Sequence, residues 1–323
     1  MDPAGTLEIA DDRYAVRFER RLAHPVDRVW RAVTEPAQLA EWFPSNLELE
    51  PRTGGTVRQS FPGGMEMPPG TVTAYEPPRL LEFVESSEGL PLAGAGDDRG
   101  IRVELAPDGD GTVLVFVNTF GDRAGAASFA TGWHTCLDAL EMVLDGKPVT
   151  VPDDYATLHE RYVDSFGPPD GSAEQGPGGW TVRFVRQLPY PKGATWAALT
   201  GADPEDPASA GLAPGDVVPE GLTGGLVTGG SVAEIDPPGV VEYRAQADGG
   251  EAGTVRWEML QGPGGARILL THTLDGTLAD RRTAVLAGWH DRLERLAAEL
   301  GGDERPRSPR RIDELTEYYT ART

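Results

Sequence analysis

The chain has 323 residues and a formal charge of −22, with 51 acidic side chains against 29 basic ones. A surface of that sign has no basic footprint with which to displace phosphate counterions, and anionic lipid repels it, which excludes nucleic acid and membranes as partners. One cysteine, Cys136, rules out an internal disulfide and fits a reducing compartment; Met1 to Gly5 lacks the marks of a signal peptide, and the longest apolar run, Val113 to Val117, is far too short to span a bilayer.

A cytoplasmic protein of two domains is expected, each long enough to bury its own core. The first opens with a strand. From Tyr14 to Leu22 one face carries Val16, Phe18, Arg20 and Leu22, and the other Arg17, Glu19 and Arg21. Pro25 introduces a short helix over Val26 to Val33, with Val26, Val29, Trp30 and Val33 at helical spacing. Pro36 starts a second short helix carrying Leu39, Trp42 and Phe43, which Pro44 stops. Short strands follow, punctuated by Gly54-Gly55, Pro62-Gly63-Gly64, Pro68-Pro69-Gly70 and Pro77-Pro78. The clearest are Leu80 to Glu85, Ile101 to Ala106 and Thr112 to Phe120, the last two joined by the turn Asp108-Gly109-Asp110-Gly111. A helix closes the half: Trp133, Leu137, Leu140 and Leu144 step by four, three and four, and Gly146 caps the end.

The chain then repeats itself. Val16-Arg17-Phe18-Glu19-Arg20-Arg21-Leu22-Ala23-His24-Pro25 and its Trp30 return without a gap as Val182-Arg183-Phe184-Val185-Arg186-Gln187-Leu188-Pro189-Tyr190-Pro191 and Trp196. Pro77-Pro78 with Glu82-Phe83 returns as Pro237-Pro238 with Glu242-Tyr243, and Gly132-Trp133-His134 as Gly288-Trp289-His290. Leu158, Glu160 and Tyr162 return as Leu315, Glu317 and Tyr319. The period is that of a domain and not of a solenoid unit. The expected division is a first domain over 1–166, a Gly- and Pro-rich linker over 167–179, and a second, divergent domain over 180–323. Gly201 to Pro207 replaces the stretch from Glu35 to Phe43, so the second short helix and its Trp-Phe pair are expected to be lost or remodelled in the second half.

An antiparallel sheet with one apolar face needs cover, and one long amphipathic helix is what each half offers. The expected class is α+β: two tandem helix-grip domains, each a curved antiparallel sheet wrapped on a C-terminal helix, with a concave space between sheet and helix. The run from Arg20 to Pro25 and Trp30, then Thr34-Glu35-Pro36 to Trp42, then Gly132-Trp133 before Leu137 and Leu140, resembles the START-like (SRPBCC) superfamily. Within it, Tyr14 to Phe166 is similar to the homologues of the heat-shock protein 90 ATPase activator C-terminal domain, with a weaker copy over Trp180 to Tyr319. The resemblance implies the helix-grip (START/Bet v-like) fold with an internal cavity. It implies no single activity, since relatives include ligand carriers, cyclases and co-chaperones.

Parity selects the candidate residues. Leu114, Phe116, Asn118 and Phe120 share a face, as do Ile268, Leu270, His272 and Leu274, and only this face is apolar in both copies. Asn118 and His272 are therefore matched inward polar groups that need a partner, either a neighbouring backbone group or a ligand. Arg20 and Arg186 also face inward and need an anion; recurring Glu82 and Glu242 are the expected partners, with a ligand carboxylate or phosphate as the alternative for Arg20. Trp42, Phe43, Phe61, Met65 and Met67 are candidates to line the cavity, with Phe83, Phe116, Phe120, Trp133 and Leu137 around it. His134 with Asp138, and His290 with Glu294, read as exposed helical pairs, and His159 has no evident partner. The scattered histidines show no metal-ligand spacing, and there is no phosphate-binding glycine loop, serine nucleophile motif or sign of a cofactor. The expectation is a binding protein with no catalytic residue and a small apolar or amphipathic ligand. The alternatives are a protein-interaction module of co-chaperone type, suggested by the resemblance, and a cyclase or hydrolase acting in the first cavity.

Overall fold

The computed structural model describes residues 4–10, 13–61, 64–86, 98–150, 152–167, 171–177, 179–248 and 250–322. The chain divides into two compact units, Met1–Phe166 and Gly167–Thr323. No helix among the described residues is long and apolar enough to cross a membrane.

In the first unit, strands β1 (Gly5–Ala10) and β2 (Arg13–Leu22) precede two short helices, α1 (Val26–Thr34) and α2 (Pro36–Trp42). Then come β3 (Asn46–Leu49), β4 (Thr56–Phe61), β5 (Met65–Glu66), β6 (Gly70–Glu76), β7 (Leu80–Glu85), β8 (Arg99–Asp108) and β9 (Gly111–Phe120), and last α3 (Ala126–Leu144) and α4 (Tyr155–Phe166). The strands form one antiparallel sheet in the order β1-β2-β9-β8-β7-β6-β4-β3, with β5 paired to β4. The Gly109-Asp110 turn closes the β8–β9 hairpin between Asp108 and Gly111, and Gly109 takes the positive φ of 61° that such a turn requires. Burial alternates along β9 with Leu114, Phe116, Asn118 and Phe120 inward, and α3 lays Trp133, Leu137, Leu140 and Leu144 against this apolar face.

The second unit repeats the plan with β10 (Ser172–Gly176), β11 (Gly179–Gln187), α5 (Lys192–Thr200), β12 (Gly229–Asp236), β13 (Val240–Ala247), β14 (Gly250–Gly262), β15 (Gly265–Thr273), a single turn α6 (Gly276–Ala279), α7 (Arg282–Leu300) and α8 (Pro309–Thr320). Its sheet runs β10-β11-β15-β14-β13-β12. Both units place a cis bond in the matched Pro77-Pro78 and Pro237-Pro238 turns. The second short helix is replaced by two 3₁₀ turns, Pro207–Ala210 and Glu220–Leu222, as the loss of the Trp-Phe motif anticipates.

The segment expected as a linker is in part a strand: Ser172–Gly176 pairs antiparallel with β11, and β1 pairs with β2 in the same way. The reason lies in two glycines. Gly5 sits opposite Phe18, and a Cβ there would lie 2.7 Å from the ring; a Cβ on Gly171 would likewise run into the Phe184 ring. Only glycine lets an edge strand cross so close over a phenylalanine.

Candidate functional site

The concave face of the first unit is built around an aromatic chain. The Trp42 and Phe43 rings lie 5.5 Å apart at the end of α2, Phe43 lies 5.3 Å from Trp133 on α3, and Trp133 lies 4.5 Å from Phe116 on β9. The Trp42 indole is pinned by its Nε1 donating to the Ala32 carbonyl at 2.9 Å. Phe83, Met67 and Leu137 are buried, Phe83 and Leu137 within the same core. Phe120 sits at the far end of its strand, stacked on Tyr14 at 6.4 Å and against Phe129 at 4.6 Å, away from the Trp42 group. Met65 pairs with Phe61 across the β4–β5 hairpin, and its side chain lies outside the described residues. Phe43 and Phe61, with Ala40, Pro44, Ser45 and Ser60, line a cleft of about 330 Å³, within the range of small-molecule sites.

A buried polar group adjoins that cleft. Ser45 lines it, and Gln59 Nε2 donates to the Ser45 hydroxyl at 2.7 Å. Gln59 Oε1 is buried with no hydrogen-bond partner among the described residues. The Glu85 carboxyl on β7 is 7% exposed and lies 3.5 Å from Arg99 Nε. Burial pushes Glu85 above the ordinary carboxylate range, and the Arg99 charge and a Gln59 hydrogen bond pull it back. Sequence reasoning missed Ser45, Gln59, Glu85 and Arg99. Part of the signal was available: Gln59 shares a strand face with Val57, and Glu85 shares one with Leu81 and Phe83.

Asn118 and His272 find partners inside the fold. Asn118 Nδ2 donates to the Gly100 carbonyl at 3.1 Å, and its Oδ1 accepts from the Trp133 indole at 3.0 Å. His272 meets the Ala252 carbonyl through Nε2 at 2.7 Å and accepts from the Trp289 indole at Nδ1, 3.1 Å away. The carbonyl can only accept, so the proton sits on Nε2, and burial drops the His272 pKa to about 4. In each unit the inward polar residue thus anchors the indole of the long helix.

The expected pairing of Arg20 with Glu82 is corrected. Arg20 meets Asp138 at 3.5 Å and Glu141 at 3.4 Å, both on α3. Glu82 pairs with Arg102 at 2.7 Å and Glu242 with Arg256 at 3.1 Å. Sheet register puts each of these acids directly across from its arginine, on the face turned away from the helix.

His134 and His290 are buried, contrary to their reading as exposed pairs, because β1 and α4 in the first unit and β10 and α8 in the second roof that flank of the helix. The Tyr162 oxygen accepts from the Ala4 and Gly5 amides at 3.2 and 3.1 Å, so its own proton goes to His134 Nδ1 at 2.8 Å. The ring proton is then on Nε2, 3.5 Å from Asp138. Burial holds His134 below its ordinary pKa, against the pull of Asp138. The second unit repeats the chain with Tyr319, the Gly171 amide at 3.0 Å, His290 at 2.8 Å and Glu294 at 3.5 Å. His159 is also buried and contacts Ser128 Oγ at 3.0 Å and Glu160 at 3.1 Å. Burial pushes the Cys136 thiol up to about 12, which leaves it unreactive. Among the described residues no cluster of His, Cys, Asp or Glu could hold a metal ion.

The second interior is occupied by its own side chains. Trp257 on β14 stands where the first unit has Val103, and its indole donates to the Leu222 carbonyl at 3.1 Å. Tyr243 donates to the same carbonyl at 2.7 Å. The loop carrying Leu222 then crosses α7, where a Cβ on Gly225 would lie 2.8 Å from Gly288 Cα.

Both units have the helix-grip architecture, an antiparallel sheet closed on a long C-terminal helix, and the first is similar to the activator-homologue family. Residues 23–145 match the family model of activator of Hsp90 ATPase homolog 1-like proteins. No curated protein matches the chain in sequence. Among solved structures, CalU16 from Micromonospora echinospora is 23% identical over 50% of this chain and 93% of its own, with a TM-score of 0.39. A conserved protein of unknown function from Enterococcus faecalis is 20% identical over 50% of this chain and 88% of its own, with a TM-score of 0.40. DynU16, from the dynemicin biosynthetic locus, is 19% identical over 90% of this chain and 99% of its own, with a TM-score of 0.39.

Proposed function

We propose that the first unit is a binding module for a small, mainly apolar molecule bearing one hydroxyl or N–H donor, and that it acts without catalysing a reaction. The observation that carries this reading is Gln59 Oε1, a buried acceptor with no partner among the described residues, beside a cleft that Phe43 connects to the aromatic chain. A buried amide oxygen left unpaired costs about 1–3 kcal/mol, and a ligand donor would recover it. Apolar area against Trp42, Phe43 and Trp133 would supply most of the affinity, and Gln59 would orient the molecule.

Native mass spectrometry of the purified chain, followed by denaturing extraction, tests this directly. The expected result is a co-purifying small molecule released on unfolding. Gln59→Leu should weaken its binding about tenfold, with the folded state checked by circular dichroism because the variant also takes a donor from Ser45 and Glu85. A clean ligand-free mass together with no thermal shift across a library of apolar alcohols and amines would overturn the reading. That result would favour a protein-interaction module, the reading supported by the family match over residues 23–145.

A further inference from the structure

The second unit holds a pocket of about 420 Å³ between the β10–β11 hairpin and helices α7 and α8. Ala173, Leu286 and the Tyr319 ring give it an apolar floor, Trp180 one wall, and Arg282 and Arg322 its charge. Among the described residues that line it none is acidic, in a chain with 51 such residues.

Trp180, Arg282 and Arg322 belong to the second copy alone. The repeat aligns Trp180 with Tyr14, and α3 and α7 align residue for residue through Trp133 and Trp289, which sets Arg282 against Ala126. The match of Tyr319 with Tyr162 sets Arg322 against Ser165. The shared skeleton beneath, the glycine of the edge strand bonded to the tyrosine of the last helix, is the same in both units. Two arginines and an indole have been placed on a common frame.

Both guanidiniums are stacked on rings. Arg282 lies 4.6 Å over the Trp180 centroid, and Arg322 lies 3.5 Å over Tyr318 while donating to the Tyr318 carbonyl at 3.2 Å. Neither forms a salt bridge among the described residues, whereas Arg292, Arg295, Arg305 and Arg311 of the same helices and their connection are each paired with a carboxylate. A guanidinium stacked on a ring is held in place yet keeps its in-plane N–H donors for an anion.

We propose that this pocket binds a small organic anion, with a carboxylate on Arg282 and Arg322 and an apolar, ring-sized body against Trp180 and Leu286. The charge-assisted pairs would supply specificity and the apolar floor the remaining affinity. This site lies in the other unit from Gln59 and stands independently of the ligand proposed there.

Calorimetric titration of the full chain with 2-naphthoate tests the proposal, with 2-naphthalenemethanol and inorganic phosphate as comparisons. The expected result is saturable binding of 2-naphthoate that weakens as salt is added. Arg282→Gln and Arg322→Gln should each weaken it about tenfold with unchanged melting. Absence of 2-naphthoate binding, equal binding of the neutral alcohol, or wild-type affinity in both arginine variants would overturn the proposal. Displacement by phosphate at equal concentration would overturn the apolar half and with it the ligand class.

Discussion

The mouths of the two grips differ more than any other matched region. In the first, α2 brings Trp42 and Phe43 to the rim, and a Cβ on Gly132 of α3 would meet nothing within 4 Å. In the second, an irregular loop takes the place of α2, carries the Leu222 carbonyl to the Trp257 and Tyr243 side chains, and presses Gly225 onto Gly288 of α7. Both units keep the indole anchor and the buried Tyr-His-carboxylate chain. The parts that hold helix to sheet were therefore kept in both copies, while the segment beside the grip diverged, a helix with a cleft in one and a loop in the other. One grip retains an unpaired acceptor beside an open cleft, and the other fills itself.

The strongest way to break that contrast is to remove the filler. Trp257→Ala should destabilise the second unit by about 3–5 kcal/mol, since removing a fully buried indole leaves a cavity and takes one of two donors from the Leu222 carbonyl, which keeps Tyr243. Chemical denaturation followed by circular dichroism should show the second unit's transition move to lower denaturant while the other stays. Equal displacement of both would mean that the two units do not unfold separately.

The matched anchors Asn118 and His272 sharpen the contrast through pH. His272 is held at about 4 in the folded chain against an ordinary value near 6.5. Between these values the unfolded chain binds the extra proton, so stability is complete above about pH 6.5 and falls as pH drops toward 4. The full loss is about 3 kcal/mol from this residue. His272→Asn copies the first unit, keeping an acceptor for the Trp289 indole, and should flatten the second unit's acid limb in melts taken from pH 7 to 4. An unchanged limb would assign it to other groups.

Much of this was legible, and what was not has physical reasons. Parity along Thr112 to Phe120 placed Asn118 inward, and helical spacing placed Trp133, yet nothing in one-dimensional spacing says that an indole will reach an amide across the core. The same parity, applied to Leu80 to Glu85, turns Glu82 outward toward Arg102 and Glu85 inward toward Gln59; recurrence of Glu82 and Glu242 in both copies reflects their cross-strand arginines and not Arg20 and Arg186. Burial of His134 and His290 depends on β1 and β10 closing over the helix flank. The polar run from Ser172 to Gly176 looks like linker because an edge strand exposed on both sides carries no apolar alternation. The lost second short helix was readable as a missing Trp-Phe pair, but what filled its place, Trp257 from a strand and a carbonyl from a loop, was not.

The smallest effect gives the most direct comparison, because it uses one substitution at two matched positions. Gly132→Ala adds a methyl into open space at a half-buried helix position and removes glycine's backbone freedom from the unfolded chain, so it should stabilise the first unit by about 0.5–1 kcal/mol. Gly288→Ala drives the same methyl into the Gly225 backbone, which cannot rotate aside as a side chain would, so it should destabilise the second unit by about 1–3 kcal/mol. Opposite signs in paired thermal melts are the expected outcome. If both variants were stabilising, the loop across α7 would yield at little cost, and the close approach of Gly225 to Gly288 would not distinguish the second unit from the first.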